Sequence, residues 1–311
     1  MGINWKGMHR FSGGIDVSGA TKIGIGDPAL AGGTTYYVDD NGSDGWRGTN
    51  PKDPLKTTTA AIAKCVANQG DAVVVMARSP STAVAGETWP IDMNKGNMLL
   101  TGLFGRGGRI SDSGFGSTPT NTNCINVSAN FMNIENLYLQ VTTGTTGDVI
   151  SLATTSRYGL TIRNCWIGLQ NTSRYGFVAP TGMDAPYLLI EDCAFSAPNS
   201  ANMTYAIYLQ NNATFGMIRR NIFYSCSSYA LHMGGAQAVT VTDNDFRLYS
   251  DTDGFAIYAP ATTNHCYFAR NHCQHGLANL TNDAFMDLAT DGKNAWTDNF
   301  EGNERVYPAT S

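Results

Sequence analysis

The chain has 311 residues, 20 basic and 25 acidic, and a formal net charge of −5. Charged residues make up 14%, against about 25% in an ordinary globular chain. No Lys/Arg cluster is dense enough to neutralise a row of phosphates, which excludes a nucleic-acid footprint, and no apolar run reaches the ~18 residues of a spanning helix, so no membrane partner is expected.

Residues 1–34 come first. "MGINWKGMHRFSGG" lacks the apolar stretch of a secretory signal. The segment is rich in glycine and small residues and cannot build a core of its own. It reads as an extended attachment arm, with Trp5, Met8 and Phe11 as its anchoring side chains. Residues 35–71 form an opening segment. Within it "KTTTAAIAKCVANQGD" (56–71) predicts a short capping helix. The threonine run offers an N-cap hydroxyl. Ala61, Ile62, Cys65 and Val66 make the apolar stripe, and Gly70 ends the helix. Such a helix covers the raw strand edges at the start of a stacked sheet. "AVVVMA" (72–77) follows as the first buried strand, "GNMLLTGLFG" (96–105) begins the next coil, and "CINVSANF" (124–131) leads into a regular region.

That region repeats. "GLTIRNCWIG" (159–168) returns as "YLLIEDCAFS" (187–196). The aligned apolar position runs Ile134, Ile162, Ile190, Ile218, Val241, Phe268, Trp296, with gaps of 28, 28, 28, 23, 27 and 28. Two positions on lies a mostly polar column from Asn136 and Asn164 to Arg270 and Asp298. Five positions on lies an apolar one, Leu139, Ile167, Phe195, Phe223, Phe246 and Cys273, broken by Glu301. A second short strand recurs between these lines, as in "YGFVA", "YAIYL", "YALHM" and "FAIYA". A period in this range means a solenoid or propeller, and it is too short for a propeller blade of ~40–45 residues. Coils of two or three strands, each pairing with its copies about 4.8 Å above and below, make a parallel β-helix. The fold class is therefore all-β, a single-stranded parallel β-helix over residues 72–300, with 301–311 as a closing tail.

Stacking carries corollaries. Glu135, Arg163, Glu191 and Arg219 follow the Ile column and should face outward as a surface ion-pair ladder. Cys165 and Cys193 become vertical neighbours, yet column neighbours rarely meet disulfide geometry. Seven cysteines without CxxC spacing read as buried free thiols from a reducing compartment.

The stretch "YYVDDNGSDGWRGTNPKDPLKTTTAAIAKCVANQGDAVVVMA" (36–77) resembles the opening of pectate-lyase-like right-handed β-helix proteins, through Asn41, Gly42, Ser43, Asp44, Gly45, Pro51, Pro54, Gly70 and Asp71. This opening is shared by bacterial surface proteins, polysaccharide lyases and phage structural proteins, so the resemblance implies the fold and leaves the activity open. The N-terminal arm is similar to attachment arms of phage structural proteins.

Several residue sets bear on chemistry. The aspartate cluster, Gly-His-Gly and Arg-x-Lys of polygalacturonase-type enzymes are missing. Asp243, Asp245, Asp251, Asp253 and Arg270 lie in neighbouring coils, and Asp243, Asp245 and Arg270 are the catalytic candidates of a lyase or hydrolase reading. "HCYFARNHCQHG" (265–276) tempts as a metal site, but His272 and Cys273 must face opposite sides of one strand, so no metal or other cofactor is expected. "GRGGR" (105–109) lacks the strand-to-helix setting of a phosphate loop. Tyr138 and Trp166 stand in one outward column, with Ala194 and Ile222 above, as an interface or a sugar-stacking surface.

The expectation from these readings is a non-enzymatic bacteriophage virion protein: a head decoration, fibre or spike component, made in the host cytoplasm. It would be anchored to other virion proteins by its arm and be homo-oligomeric, with a trimer favoured. The alternatives are a polysaccharide lyase, hydrolase or depolymerase, and a non-catalytic binder of surface glycans.

Overall fold

The computed structural model describes residues 33–76, 85–103, 114–115, 121–141, 146–153, 155–169, 175–196, 203–210, 212–224, 226–248, 255–275, 285–289, 293–301 and 304–306. The arm with Trp5, Met8 and Phe11, the loop with Asp251 and Asp253, and the 105–109 turn lie outside these residues.

Three parallel sheets wind as one right-handed β-solenoid. Among the described residues the first holds ten strands, from Thr35–Val38 to Ala295–Thr297, and the third holds eight, from Ile91–Met93 to Phe285–Asp287. The second has nine, and its last, Glu304–Val306, turns back antiparallel on Asn299–Glu301 to cover the final edge. Ile134, Ile162, Ile190, Ile218, Val241, Phe268 and Trp296 pair in unbroken register up the first sheet. The column from Leu139 to Cys273 does the same in the second. Its rings are fully buried and stacked: Phe195–Phe223 centroids lie 5.0 Å apart and Phe223–Phe246 centroids 4.8 Å. Such contacts add about 0.5–1.5 kcal/mol each beyond area burial.

One helix, Thr58–Lys64, closes the N-terminal end. Thr57 caps it, its hydroxyl accepting from Ala60 N at 3.2 Å. Asp44 of the Asn-Gly-Ser-Asp-Gly loop accepts from Lys56 N and Thr57 N, both at 2.9 Å. Glu87 accepts from Thr58 N and Thr59 N at the same distance. Asp44 of the opening loop thus holds the N-cap, and Glu87, from beyond the first buried strand, takes two of the donors that a helix start leaves unpaired. The helix ends sooner than the sequence suggests. Asp71 is buried and takes Val66 N at 2.6 Å and Thr34 N at 2.6 Å, and Cys65 is already extended (φ −66°, ψ 146°). Gly70, with φ +73°, serves the turn into the first buried strand rather than the helix end. Ala61, Ile62 and Cys65 are buried, but Val66 is 51% exposed and leaves the predicted stripe.

Between the first and second sheets each coil makes a sharp turn. The polar column two positions past the Ile line occupies left-handed backbone throughout: Asn136, Asn164, Asp192, Arg220, Asp243, Arg270 and Asp298 have φ between 52° and 59°. Left-handed backbone costs roughly 1–2 kcal/mol for most residues and is tolerated best by Gly, Asn and Asp. The next position is buried and forms a ladder. Asn221, Asn244, Asn271 and Asn299 hand hydrogen bonds from coil to coil: Asn221 Nδ2 to Asn244 Oδ1 at 3.1 Å, Asn244 Nδ2 to Asn271 Oδ1 at 2.9 Å, Asn271 Nδ2 to Asn299 Oδ1 at 3.0 Å. Each also donates to a first-sheet carbonyl, as Asn244 does to Ile218 O at 3.1 Å. Cys165 and Cys193 continue this column, their Sγ atoms donating to Ile134 O and Ile162 O, both at 3.6 Å. All seven cysteines are free and buried. Burial pushes the Cys65 and Cys226 thiols up to about 12.

The charged ladder exists but is not an open surface feature. Glu135 and Glu191 are only 6% and 5% exposed. Arg163 bonds Glu135 at 2.6 Å, while Arg219 and Arg220 both reach Glu191 at 2.7 Å. Arginines from the strand and from the adjoining turn lie over the carboxylates and shut out water.

The outer face of the third sheet carries Tyr175, Tyr205, Tyr229 and Phe255 in a continuous stack, with centroid spacings of 5.4, 5.4 and 5.6 Å. Tyr208, His232 and Tyr258 pack beside them. These rings stack from coil to coil and stiffen the sheet.

Candidate functional site: the outer face of the second sheet

Strand alternation sends every second side chain of this sheet outward. One outward column runs Tyr138, Trp166, Ala194, Ile222, Asp245 and His272; beside it run Gln140, Gly168, Ser196, Tyr224, Arg247 and Gln274. Tyr138 and Trp166 stack at 6.2 Å and 6°, and Trp166 lies 6.4 Å and 20° from Tyr224. The two large rings lean toward each other across the small Ala194 and Ser196. Burial raises the Tyr138 phenol above its ordinary value, so it is a neutral donor.

The charged half adjoins the aromatic half. The Arg247 guanidinium sits 5.3 Å from the Tyr224 ring centre, within cation–π range, and Nη1 reaches Tyr224 Oη at 3.4 Å. Arg247 Nε donates to Asp245 Oδ2 at 2.8 Å. Asp245 Oδ1 is buried with no hydrogen-bond partner among the described residues, and His272 Nδ1 lies 3.6 Å away. From Tyr138 to His272 this set spans five inter-strand steps, about 24 Å at ~4.8 Å each.

This placement divides the predicted catalytic trio. Asp243 and Arg270 pair with each other on the left-handed turn, 39% and 54% exposed. Their bond holds the Asp243 carboxyl below the usual carboxylate range and the Arg270 guanidinium above its own. Asp245, two residues on, faces another direction, because the strand begins there and its first side chain points out from the sheet. Asp243, Asp245 and Arg270 therefore do not converge. Tyr138 and Trp166 do share one outward column with Asp245. The reading missed Tyr224, Arg247 and the place of His272 here. Running the Tyr138 column past Ile222 by two more lines would have given Asp245 and His272. His272 faces outward while Cys273 is buried, as alternation requires.

These residues build a right-handed parallel β-solenoid with a mixed aromatic and charged flank. Residues 40–265 match the family described as "Protein of unknown function (DUF1565)", and the chain belongs to that family. No curated protein matches the chain. Two chains of solved structures match. One is a GH136 lacto-N-biosidase from Eubacterium ramulus, at 10% identity and a TM-score of 0.32, covering 86% of this chain and 67% of that one. This likeness carries no residue of this chain into a role. It does correct one expectation. The sequence reading favoured a non-enzymatic protein because known catalytic sets are missing, with a lyase or hydrolase as its alternative, and an enzyme stands among the matches. Missing polygalacturonase-type residues exclude only that type of site.

Proposed function

We propose that the protein acts on glycan chains lying along the outer face of the second sheet. Tyr138, Trp166 and Tyr224 present the rings that stack on sugars. The Asp245–His272 pair is the acid–base element: the imidazole beside the carboxylate is placed to take or give a proton. Arg247 and Gln274 fix polar or anionic substituents. The observation that carries this reading is that one row of strands places the aromatic stack and the Asp245–Arg247–His272 set side by side. The one carboxylate among the described residues of this face does not make the pair that glycoside hydrolysis ordinarily uses, so proton abstraction beside an acidic substituent is the favoured chemistry. A phage-virion role rests on the N-terminal arm, and nothing among the described residues takes it further.

The test is incubation of the full chain with acidic and neutral glycans, following unsaturated and reducing ends and retention in glycan gels. New unsaturated ends that disappear in His272→Ala, with retention by acidic glycans lost in Trp166→Ala, are expected. A wild-type chain that neither cleaves nor is retained by any acidic glycan refutes the proposal.

A further inference from the structure

A second left-handed ridge runs along the other edge of the first sheet. Successive coils cross it at Phe131, Gly159, Tyr187, Phe215, Ala238 and His265, with φ of 56°, 66°, 59°, 56°, 54° and 55°. The fold requires this conformation. From Phe131 to Ala238 each backbone N–H bonds to a carbonyl of the next coil: Phe131 N to Tyr158 O at 2.7 Å, Tyr187 N to Thr214 O at 2.8 Å, Phe215 N to Gln237 O at 3.1 Å. Glycine or asparagine would serve such a position at least cost, and a bulky side chain serves it worst. Asn97, one coil before Phe131, and Gly159 obey that rule. Phe131, Tyr187 and Phe215 break it.

Burial does not compensate them. Phe131, Tyr187 and Phe215 are 57%, 58% and 65% exposed, and Tyr158 beside them is 46% exposed. They serve neither the backbone nor the core. Their rings are nonetheless arranged. Phe131 leans over Gly159, where an added Cβ would lie 2.6 Å from its Cδ1. Tyr187 and Phe215 stack at 5.8 Å and 20°. Alongside runs an uncharged polar row in register, Thr214, Gln237 and Asn264.

We infer that this ridge is a binding strip for an uncharged glycan strand running along the solenoid axis. Exposed aromatic faces next to amides and a hydroxyl match the apolar and polar sides of a pyranose. Coils about 4.8 Å apart repeat at close to the length of one sugar in an extended β-linked chain. The ridge is separate from the face proposed above, with the first sheet between them, and it needs no catalysis there. A second copy of this chain is the rival occupant. The row of amides disfavours it, since the core of a self-interface is apolar.

The test is affinity electrophoresis of the full chain in gels containing hydroxyethyl cellulose, xylan or galactomannan. Retardation of the wild type in at least one of them is expected. The double variant Tyr187→Asn/Phe215→Asn should weaken binding about tenfold or more. Because Asn suits the left-handed backbone, the same variant should keep or raise Tm. Trp166→Ala should leave this retardation intact. No retardation of the wild type overturns the inference, as does unchanged retardation in the Asn variant. Retardation lost only in Trp166→Ala also overturns it, while supporting the second-sheet face. Self-association in sedimentation that the Asn variant abolishes, without glycan retardation, assigns the ridge to a second copy.

Discussion

Arg270 holds Asp243 through two parallel bonds, Nε to Oδ1 at 2.7 Å and Nη2 to Oδ2 at 2.8 Å, from one coil of the turn ridge to the next. Two charged residues that look catalytic in the sequence are thereby a structural clasp. Because the folded carboxyl titrates below its unfolded value, the clasp stabilises above the ordinary carboxylate pKa of ~3.9. That contribution is lost as pH falls through the lower folded value. Asp243→Asn should lower the urea midpoint slightly at pH 7 and not at pH 2, with cleavage unaltered. Loss of cleavage at full stability would return Asp243 to the active site.

The asparagine ladder should be sensitive. Asn244→Ala removes the acceptor of Asn221 N (3.0 Å) and the donor to Ile218 O (3.1 Å), both buried. Burying polar groups without partners costs roughly 1–3 kcal/mol each, so a loss of about 2–4 kcal/mol is expected in urea unfolding. Asn244→Cys should fall between Ala and wild type, because a thiol at this column can reach the carbonyl, as Cys193 does.

Thiol labelling gives a direct check on the interior. All seven cysteines are buried, and several are pushed far above neutral pH, Cys266 up to about 11. A thiolate is the reactive form. The native chain should therefore react negligibly with a disulfide reagent at pH 7.5, and seven thiols should appear on denaturation. Fast labelling of two or more in the native state would contradict this packing.

His232 sits among Tyr205, Tyr208, Tyr229 and Tyr258, and burial lowers its pKa. The unfolded chain therefore binds a proton more readily. Stability should be full above the unfolded value of about 6.5 and decline as pH falls from there toward the folded value. Histidine NMR should show one imidazole titrating below the ordinary range, and the Tyr205 phenol, raised to about 12, should ionise late.

The repeat was legible because a solenoid writes each spatial neighbour one coil later in the sequence. Ile134, Ile162, Ile190 and Ile218 could be piled up from their spacing alone, and the pairing of Cys165 with Cys193 followed. The Asn221–Asn299 ladder was written in the same lines but passed unread, because its role depends on the left-handed turn beside it.

What the sequence determined by itself is the periodic part: which residues stack, which face inward, and that a helix covers the first edge. Tertiary structure decided where polar residues aim. Asp243 and Asp245 are two letters apart, and only a left-handed turn between two sheets sends one to a surface clasp and the other to a shared face with Trp166. The helix likewise stops at Lys64 because Asp71, held in place by Thr34 N from the far side of the opening segment, captures Val66 N. Periodicity fixes apolar positions since burial acts on every coil alike. Turns and carboxylates answer to single partners that only the folded chain brings within 3 Å.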